Sequence, residues 1–328
     1  AYNVSATSTS GATVTFASGS TAVCTVTGST VTFVGAGTCV IDASAPATGN
    51  YQAATGQQSF AVGPAAGPVV PPPITAAGPP VRAAGARLAA TPDGTGYWVV
   101  GADGSVTPHG TAAAHGSMVG RSLAEPTVGI GSTPDGQGYW LAASDGGVFA
   151  FGSAGFHGSI PGTGLHVTAV TDLTATPDAQ GYWLVGSDGG VFAFGDAGFY
   201  GSVPQVGVRV GDVAALTPTP DGRGYWLVGS DGGVFAFGDA KFFGSMGGHP
   251  LAAPVVGMTA TPDGRGYWLV GSDGGVFAFG DAGFYGSTAG VVGAGATIGL
   301  VPDTQGTGYA LVGSTGVATS FPGGGAAP

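Results

Sequence analysis

Residues 255–287 read VVGMTATPDGRGYWLVGSDGGVFAFGDAGFYGS, and the chain repeats this stretch, with changes, from about residue 87 onward. The tyrosine of the GYW element recurs every 42 or 43 residues, at Tyr97, Tyr139, Tyr182, Tyr225, Tyr267 and Tyr309. Six units at so constant a period indicate a repeat architecture, in which each unit packs against its neighbours.

One repeat contains four short runs rich in Val, Phe, Tyr, Trp and Leu, at residues 255–261, 266–271, 276–279 and 284–287. Such runs, when glycine, aspartate or proline bounds them, predict β-strands. Pro262, Asp263 and Gly264 suit a type I turn, and the pair Asp273 and Gly274 is typical of a hairpin turn. The pattern therefore predicts a four-stranded meander in each unit.

These strands are apolar on both faces, because Tyr267 and Leu269 point to one side of the sheet and Trp268 to the other. In a chain with almost no helix pattern, sheets that need cover on both sides predict a β-propeller. The predicted fold is all-β, with a six-bladed β-propeller over residues 86–328. Its core between blades is predicted to hold Trp98, Trp140, Trp183, Trp226 and Trp268. An open β-solenoid is the alternative, since atypical first and last repeats are consistent with both.

The composition excludes several classes of protein. The 328 residues include 67 Gly and 23 Pro, only 8% are charged, and the net charge is -11. With seven Lys and Arg in total, the chain lacks a basic patch, so nucleic acid is not an expected partner. No apolar run is long enough to predict a membrane span. Ala1 begins directly in strand-like sequence without a signal-peptide pattern, which predicts a processed or trimmed chain.

Residues 1–63 differ from the repeats. Short alternating runs separated by Gly and Ser predict a small antiparallel β-sandwich with one polar and one apolar face per sheet. Cys24 and Cys39 are the only cysteines and lie in neighbouring strand candidates. They predict a disulfide, and with it a secreted or cell-surface location.

The pattern VCTVTGSTVTFVGAGTCVIDASAPATGNYQAATGQQSFAV resembles the bacterial Ig-like repeats that occur in tandem on secreted and surface proteins. The resemblance rests on the cysteine spacing, the AGTC element and the closing NYQAA and SFAV. Family members carry another strand before Tyr2, so this domain is expected to lack its first strand. The resemblance implies a spacer or adhesive stalk without chemistry of its own.

Residues 64–85 form a Pro, Ala and Gly linker that predicts a semi-rigid extended spacer. A second role for it is to supply, from residues 69–75, the strand that the last repeat lacks.

The repeat itself looks like a repeat found in tandem in secreted actinobacterial proteins, a family with a predicted propeller fold and no settled activity. Its TPD turn followed by Trp is also similar to the Asp box of sialidase-like propellers and to the SPDG turn of TolB-type propellers. In both families the element is a structural hairpin, so neither likeness implies catalysis.

Most acidic residues of the repeats belong to turns. The repeat region holds 16 Asp and one Glu, and fourteen of the aspartates, Asp303 included, lie in the TPD, Asp-Gly and GDA turns. The exceptions are Glu125, Asp172 and Asp212. No cofactor or metal is predicted, since each turn offers a single carboxylate to calcium. His109, His115 and His157 replace Phe or Tyr, so we interpret them as packing variants rather than metal ligands.

The links between repeats, such as 118–126 and 203–213, vary most and are expected on one face of the ring, as in a binding surface. The candidate ligand-binding residues there are Arg121, Glu125, His166, Arg209, Asp212 and His249. The alternative interpretation is that links vary because little constrains them. A glycosidase would need two carboxylates close together, for which Glu125 and Asp212 are the candidates.

The function predicted from the sequence is non-catalytic: an Ig-like stalk that displays a propeller for adhesion to, or recognition of, a glycan or cell-surface protein. An alternative is a structural subunit of an extracellular filament, joined head to tail by strand addition at unpaired edges. A propeller glycoside hydrolase is the third hypothesis.

Overall fold

The structure is a computed structural model that describes residues 2–8, 10–35, 37–49, 52–62, 87–165, 167, 169–291 and 295–322. The described residues are almost entirely β-strands and turns, and they fall into two compact units, one on each side of the predicted linker. The linker itself, with the strand proposed at residues 69–75, lies outside the described residues. The helices of the described part of the chain are too short to cross a lipid bilayer.

The first unit consists of two three-stranded antiparallel sheets. Its strands are β1 (Tyr2–Asn3), β2 (Thr15–Ser18), β3 (Cys24–Thr27), β4 (Thr30–Phe33), β5 (Gly37–Ala45) and β6 (Ala54–Val62). One sheet has the order β1-β4-β3 and the other β2-β5-β6. Val31 of β4 and Ile41 of β5 are buried in a common small core, so the two sheets cover each other's apolar faces.

The predicted disulfide between Cys24 and Cys39 is confirmed, and it joins β3 of one sheet to β5 of the other. Both cysteines are fully buried in the small core. Closing a loop of 15 residues stabilises the fold by about 3 kcal/mol in the chain-entropy model. For a unit with so small a core, the bond is a major part of its stability.

In the second unit each repeat forms one antiparallel sheet of three strands, here numbered sheet 1 to sheet 6. The first strands are β7 (Leu88–Ala90), β10 (Thr127–Ser132), β13 (Val170–Ala175), β16 (Val213–Pro218), β19 (Val255–Ala260) and β22 (Thr297–Pro302). The second strands are β8 (Gly96–Val100), β11 (Gly138–Ala143), β14 (Gly181–Gly186), β17 (Gly224–Gly229), β20 (Gly266–Gly271) and β23 (Tyr309–Gly313). The third strands are β9 (Val106–Gly110), β12 (Val148–Gly152), β15 (Val191–Gly195), β18 (Val234–Gly238), β21 (Val276–Gly280) and β24 (Ala318–Phe321). A single turn of α-helix, α1 (Ile160–Thr163), and a 3-10 turn (Pro204–Val206) lie in two of the links.

The six sheets form a closed ring. Each first strand contacts the first strand of the next sheet, and β22 of sheet 6 contacts β7 of sheet 1. Side chains tie these inner strands together: the Thr174 hydroxyl donates to the carbonyl of Leu216 at 2.9 Å, and Thr217 donates to Met258 at the same distance. The arrangement is therefore the ring, and not the open solenoid.

The core consists of separate clusters, one between each pair of neighbouring sheets. Between sheets 4 and 5, for example, Trp226 packs with Met258 and with Tyr267 of the next sheet. The ring centroids of Trp226 and Tyr267 are 5.6 Å apart, and both side chains are fully buried. All five repeat tryptophans are buried in this way against the following sheet.

The prediction of a fourth strand in each repeat is wrong. Residues 284–287 and their equivalents form no strand, because side chains engage their main-chain groups. The indole of Trp226 donates to the carbonyl of Lys241 at 2.7 Å. Three residues further on, the Tyr267 hydroxyl of the next sheet donates to Gly244 at 2.6 Å and accepts from the N–H of Phe243. We call this segment the strap, since it crosses from one sheet to the next.

The junction between sheets 6 and 1, here called the seam, departs from this pattern. Ala310 stands where other sheets have tryptophan. The Tyr97 hydroxyl donates to the carbonyl of Gly316 at 2.7 Å, and the His109 ring stacks on Tyr97 with centroids 4.9 Å apart. The buried cluster at the seam is built from small aliphatic residues: Leu88, Ala90, Val301 and Val312.

Thr127 should be the site of a stabilising substitution. Its side chain is fully buried, and its hydroxyl has no hydrogen-bond partner among the described residues. The same place at the start of the first strand is occupied by Val170, Val213 and Val255 in three other sheets. We therefore expect Thr127→Val to raise the free energy of unfolding by about 1 kcal/mol, measured by urea denaturation. The reverse change, Val213→Thr, should lower it; equal effects of the two variants would contradict this account.

A second stabilising substitution is expected at Ala179. It has φ of 60° in the turn between β13 and β14, whereas the equivalent Gly222 has 71° and Gly264 has 70°. Left-handed backbone costs a residue with a Cβ roughly 1 kcal/mol relative to glycine. Ala179→Gly should thus stabilise the ring by up to about 1 kcal/mol in thermal unfolding. Gly222→Ala is the matched control and should destabilise, since its new Cβ would lie 2.9 Å from Pro177.

Candidate binding site

The ring has two ends that carry different sets of loops. At one end, here called the turn face, lie the turns between first and second strands, such as residues 219–224, and the turns that follow the third strands. At the opposite end, the link face, lie the Asp-Gly turns and the links that lead into each first strand. Because every sheet is antiparallel, all six repeats share this division.

On the turn face, aspartates hold the hairpin turns together. In sheet 4, Asp221 accepts from the Thr219 hydroxyl at 2.9 Å and from the N–H of Arg223 at 3.2 Å. Thr219 in turn accepts from the N–H of Gly224 at 3.0 Å. This set of bonds recurs in sheets 3 and 5 with Asp178 and Asp263. The interpretation of these aspartates as turn residues agrees with the geometry.

Asp303 does not occupy the place in its turn that the sequence analysis predicted, which was that of the aspartate in TPD. Its N–H donates to Gly308, the bond that Thr261 makes to Gly266 in sheet 5, so Asp303 takes the place of the threonine. The reason is that Pro302 lies two residues farther from the GY element than Pro262 does. The Asp303 carboxylate still caps its turn, accepting from the N–H groups of Gln305 and Thr307.

A second aspartate joins the first in sheets 3, 4 and 5. Asp239, which follows the third strand, lies with its Oδ1 3.1 Å from the hydroxyl of Thr219, the same hydroxyl that contacts Asp221. The equivalent pairs are Asp178 with Asp196 and Asp263 with Asp281. In sheet 2 a serine replaces the second carboxylate, and Ser153 donates to Asp135 at 3.0 Å. The sequence treated these residues as belonging to separate turns.

The two members of a pair have opposite pKa shifts. Burial raises the pKa of Asp221, but hydrogen bonds from Thr219 and the N–H of Arg223 outweigh it, so the pKa is lowered. For Asp239, burial and then the negative charge of Asp221 raise the pKa. In sheet 1, which has no pair, hydrogen bonds from Thr91 and Thr95 lower the pKa of Asp93 to about 2. The first turn carboxylates are therefore ionised at neutral pH.

The candidate ligand-binding residues lie in the links, and most are exposed. Arg121, Glu125, Arg209 and His249 are exposed, whereas His166 lies outside the described residues. Four of the links start from an apolar anchor; the N–H of Met118, for example, donates to Gly104, and that of Met246 donates to Gly232. Arg121 and His249 each follow their methionine by three residues, and their main-chain N–H groups donate to its carbonyl, which leaves their side chains out of the turn.

Asp212 is partly buried and has a structural role. Its carboxylate accepts from the Ser230 hydroxyl at 3.2 Å and from the N–H of Asp231 at 3.4 Å, both in the Asp-Gly turn of the same sheet. Glu125 precedes sheet 2 and Asp212 precedes sheet 4, so β13 of sheet 3 stands between the first strands to which they lead. The structure does not bring this suggested carboxylate pair onto neighbouring sheets.

Asp172, one of the three acidic residues outside the turn pattern, lies inside strand β13 and is buried. Its carboxylate accepts from the N–H of Leu173 at 2.8 Å and from the N–H of Leu216 in the next sheet at 3.1 Å. Asp172 therefore accepts a hydrogen bond from the main chain of β16 in the next sheet, and Thr174 donates one to the same strand.

The histidine rings pack among aromatic residues. His115 lies between Trp98 and Tyr139, with centroid distances of 6.1 and 5.6 Å, and its Nε2 is 3.2 Å from the carbonyl of Gly136. His157 occupies the same place between Trp140 and Tyr182. Within the ranges that the structure describes, no three His, Cys, Asp or Glu side chains are grouped as metal ligands.

A cavity on the ring axis opens in the half near the turn face, and the sequence analysis did not predict it. The cavity has a volume of about 100 Å³. All six sheets contribute to its wall, with the ends of their first strands and the prolines of their turns. The signal in the sequence was the recurring Thr-Pro of TPDG, which we interpreted only as turn chemistry.

Comparison with known proteins adds little to this picture. No protein-family model and no curated protein sequence matches the chain. Among solved structures, the chain is similar to the crystal structure of the Cps50 (Swd1) β-propeller domain of Myceliophteria thermophila, with a TM-score of 0.44 and 11% identity. The match covers 70% of this chain and 79% of that one.

The geometry of the second unit defines the class of fold. Sheets that stand in a closed ring, bury both faces against their neighbours and surround an axial cavity constitute a β-propeller. The predicted all-β class and propeller architecture are thus confirmed.

The carboxylate pairs should make stability depend on pH. The pKa of Asp239 is higher in the folded state than in the unfolded chain, where it is near 4. The folded state therefore loses stability as the pH rises through the range between the unfolded and the folded pKa. Asp239→Ser copies the Ser153 arrangement and removes this effect. We expect the melting temperature of the variant, relative to the wild type, to increase between pH 4 and pH 7 by on the order of 1 °C, because solvent screens an exposed pair. Ser153→Asp should do the opposite. A difference that is independent of pH would contradict the assignment.

Proposed function

We propose that the chain is a non-catalytic recognition module whose link face binds a glycan or a protein of a cell surface. The observation that carries the proposal is the placement of the rare charged residues. Only 8% of the residues are charged, and the turn aspartates are engaged in hydrogen bonds. Arg121, Glu125, Arg209 and His249, by contrast, are exposed in links of different sequence. Such variation on a repeated scaffold is typical of a binding surface.

The finer structural assignment belongs to the same proposal. Each sheet is one blade, so the propeller has six blades built from 42- or 43-residue repeats, and it resembles the tandem repeats of secreted actinobacterial proteins. The first unit is a bacterial Ig-like domain that serves as a stalk. Its two disulfide-linked sheets support this assignment.

The location that fits is the cell surface or the extracellular space. Disulfides persist in oxidising compartments and are rare in the reducing cytosol. The bond between Cys24 and Cys39 is fully buried and joins the two sheets of the first unit. The chain therefore depends on an oxidising environment for the stability of its stalk.

A glycan array tests the proposal with the full chain. We expect binding to a restricted set of glycans, reduced at least tenfold in the triple variant Arg121→Ala, Arg209→Ala, His249→Ala. The matched control is Arg223→Ala with Arg265→Ala, two exposed arginines on the turn face, which should leave binding unchanged. Asp212 is left intact because its carboxylate holds a turn.

Three outcomes would contradict the proposal: no glycan or cell-surface protein is retained, the link-face variant binds as tightly as the wild type, or the turn-face control loses binding equally. Electron microscopy of the same protein addresses the filament hypothesis, since ordered filaments in place of dispersed particles would favour it.

A further inference from the structure

The wall of the axial cavity is made of small and apolar groups. In each sheet one residue of the first strand lies opposite the repeat tyrosine of the second strand. These six residues have small or rigid side chains: Ala90, Ser132, Ala175, Pro218, Ala260 and Pro302. All six line the cavity. Four turn prolines surround its mouth on the turn face: Pro134, Pro177, Pro220 and Pro262. Proline has no N–H to offer, so this mouth presents mostly carbon atoms.

The hydroxyl groups of the wall are already engaged. Ser132 donates to the carbonyl of Ala90, and Thr217 donates to that of Met258. The hydroxyls of Thr176, Thr219 and Thr261 bond within their own turns. The cavity therefore has little capacity to bind a polar body by new hydrogen bonds, and its interior suits an apolar group.

The turns that border this apolar cavity carry carboxylates. Each of the four lining prolines is followed directly by an aspartate, and Asp303 of sheet 6 lies in the wall itself. We call these five residues the carboxylate crown: Asp135, Asp178, Asp221, Asp263 and Asp303. A hydrogen bond from Thr133 lowers the pKa of Asp135. Burial raises the pKa of Asp178, but hydrogen bonds from the N–H of Gln180 and from Thr176 outweigh it and lower the pKa, so both carboxylates are ionised at neutral pH.

The charge balance of the turn face is strongly negative. Besides the crown, it carries Asp93 and the second members of the three pairs, Asp196, Asp239 and Asp281. Among the described residues, the opposing charges on this face are Arg223, Arg265 and Lys241. The two arginines extend into solvent beside Asp221 and Asp263, with N–O distances of 4.0 and 3.7 Å. A concave site on a face with a large excess of one sign of charge attracts ligands of the opposite sign.

We propose that the axial cavity is a second binding site, separate from the link face, for a small organic cation with an apolar body. The apolar part enters between the prolines and the small residues of the first strands, and the cationic group stays at the mouth among the crown carboxylates. An amine on an aryl or alkyl group has this chemistry. A neutral or anionic molecule of the same shape lacks the attraction to the crown.

The test is calorimetric titration of the full chain with three probes of similar shape and different charge: 2-phenylethylammonium, 2-phenylethanol and 3-phenylpropionate. We expect the cation to bind at least fivefold more tightly than the alcohol, and the anion not to bind. Raising sodium chloride from about 50 to 500 mM should weaken only the cation, because salt screens the crown.

Variants locate the site. Ala175→Leu should fill part of the cavity and weaken the cation and the alcohol alike; Ala260→Leu is the second choice if the first fails to fold. Asp303→Asn keeps an acceptor for its turn but removes one charge, so it should weaken the cation alone by at least twofold. Asp273→Asn, on the opposite end of the ring, is the matched control and should change nothing.

Equal binding of the cation and the alcohol, absence of binding by all three probes, or cation binding that survives both cavity-filling variants would each overturn the proposal. Glycan binding by the link face is unaffected by any of these results, since the two sites lie at opposite ends of the sheets.

Discussion

The propeller depends on one pair of side chains that is repeated around the ring. In sheets 1 to 5 the tryptophan donates its indole N–H to a carbonyl 15 residues later in the chain, and the tyrosine of the next sheet binds the same strap. A buried indole or phenol without a partner would be costly, so each strap must lie where both donors reach it. The strap thereby fixes the distance between neighbouring sheets while the rings fill the space between them.

This constraint explains why the repeats tolerate so much variation elsewhere. Once the pair of rings and the strap are in place, the links have only to provide one anchor before the next strand begins, such as the buried Met118 or the partly buried Met246. Most of the residues after the anchor are exposed and differ between repeats, although Leu123 and Leu251 still pack against the core clusters. The turn face is the opposite case, because prolines and threonines of its turns line the axial cavity, and the Thr-Pro-Asp sequence recurs in sheets 1 to 5.

The ring could be predicted from the sequence because its cause is local. Strands that are apolar on both faces need a neighbour on each side, and a constant period makes the neighbours alike. The fourth strand was predicted wrongly because the aromatic pattern of residues 284–287 does not reveal that side chains take its main-chain groups; Phe284 is 63% exposed, while Tyr285 packs on Tyr309. The pairing of Asp178 with Asp196 and the axial cavity were missed because each joins residues that are distant in sequence. Of the candidate ligand-binding residues, Asp212 has a structural role, which its position in a variable link did not indicate.

The seam makes one of the six junctions of this nearly symmetric ring different from the others. Five junctions hold a large aromatic pair, whereas the sixth substitutes Ala310 and relies on aliphatic contacts and a bond from Tyr97 to Gly316. Under mechanical force or heat, the junction between sheets 6 and 1 should separate before the other five. Unfolding would then proceed sheet by sheet from the two sides of the seam. The first and last repeats, which differ most from the others, would therefore set the rate at which the ring unfolds.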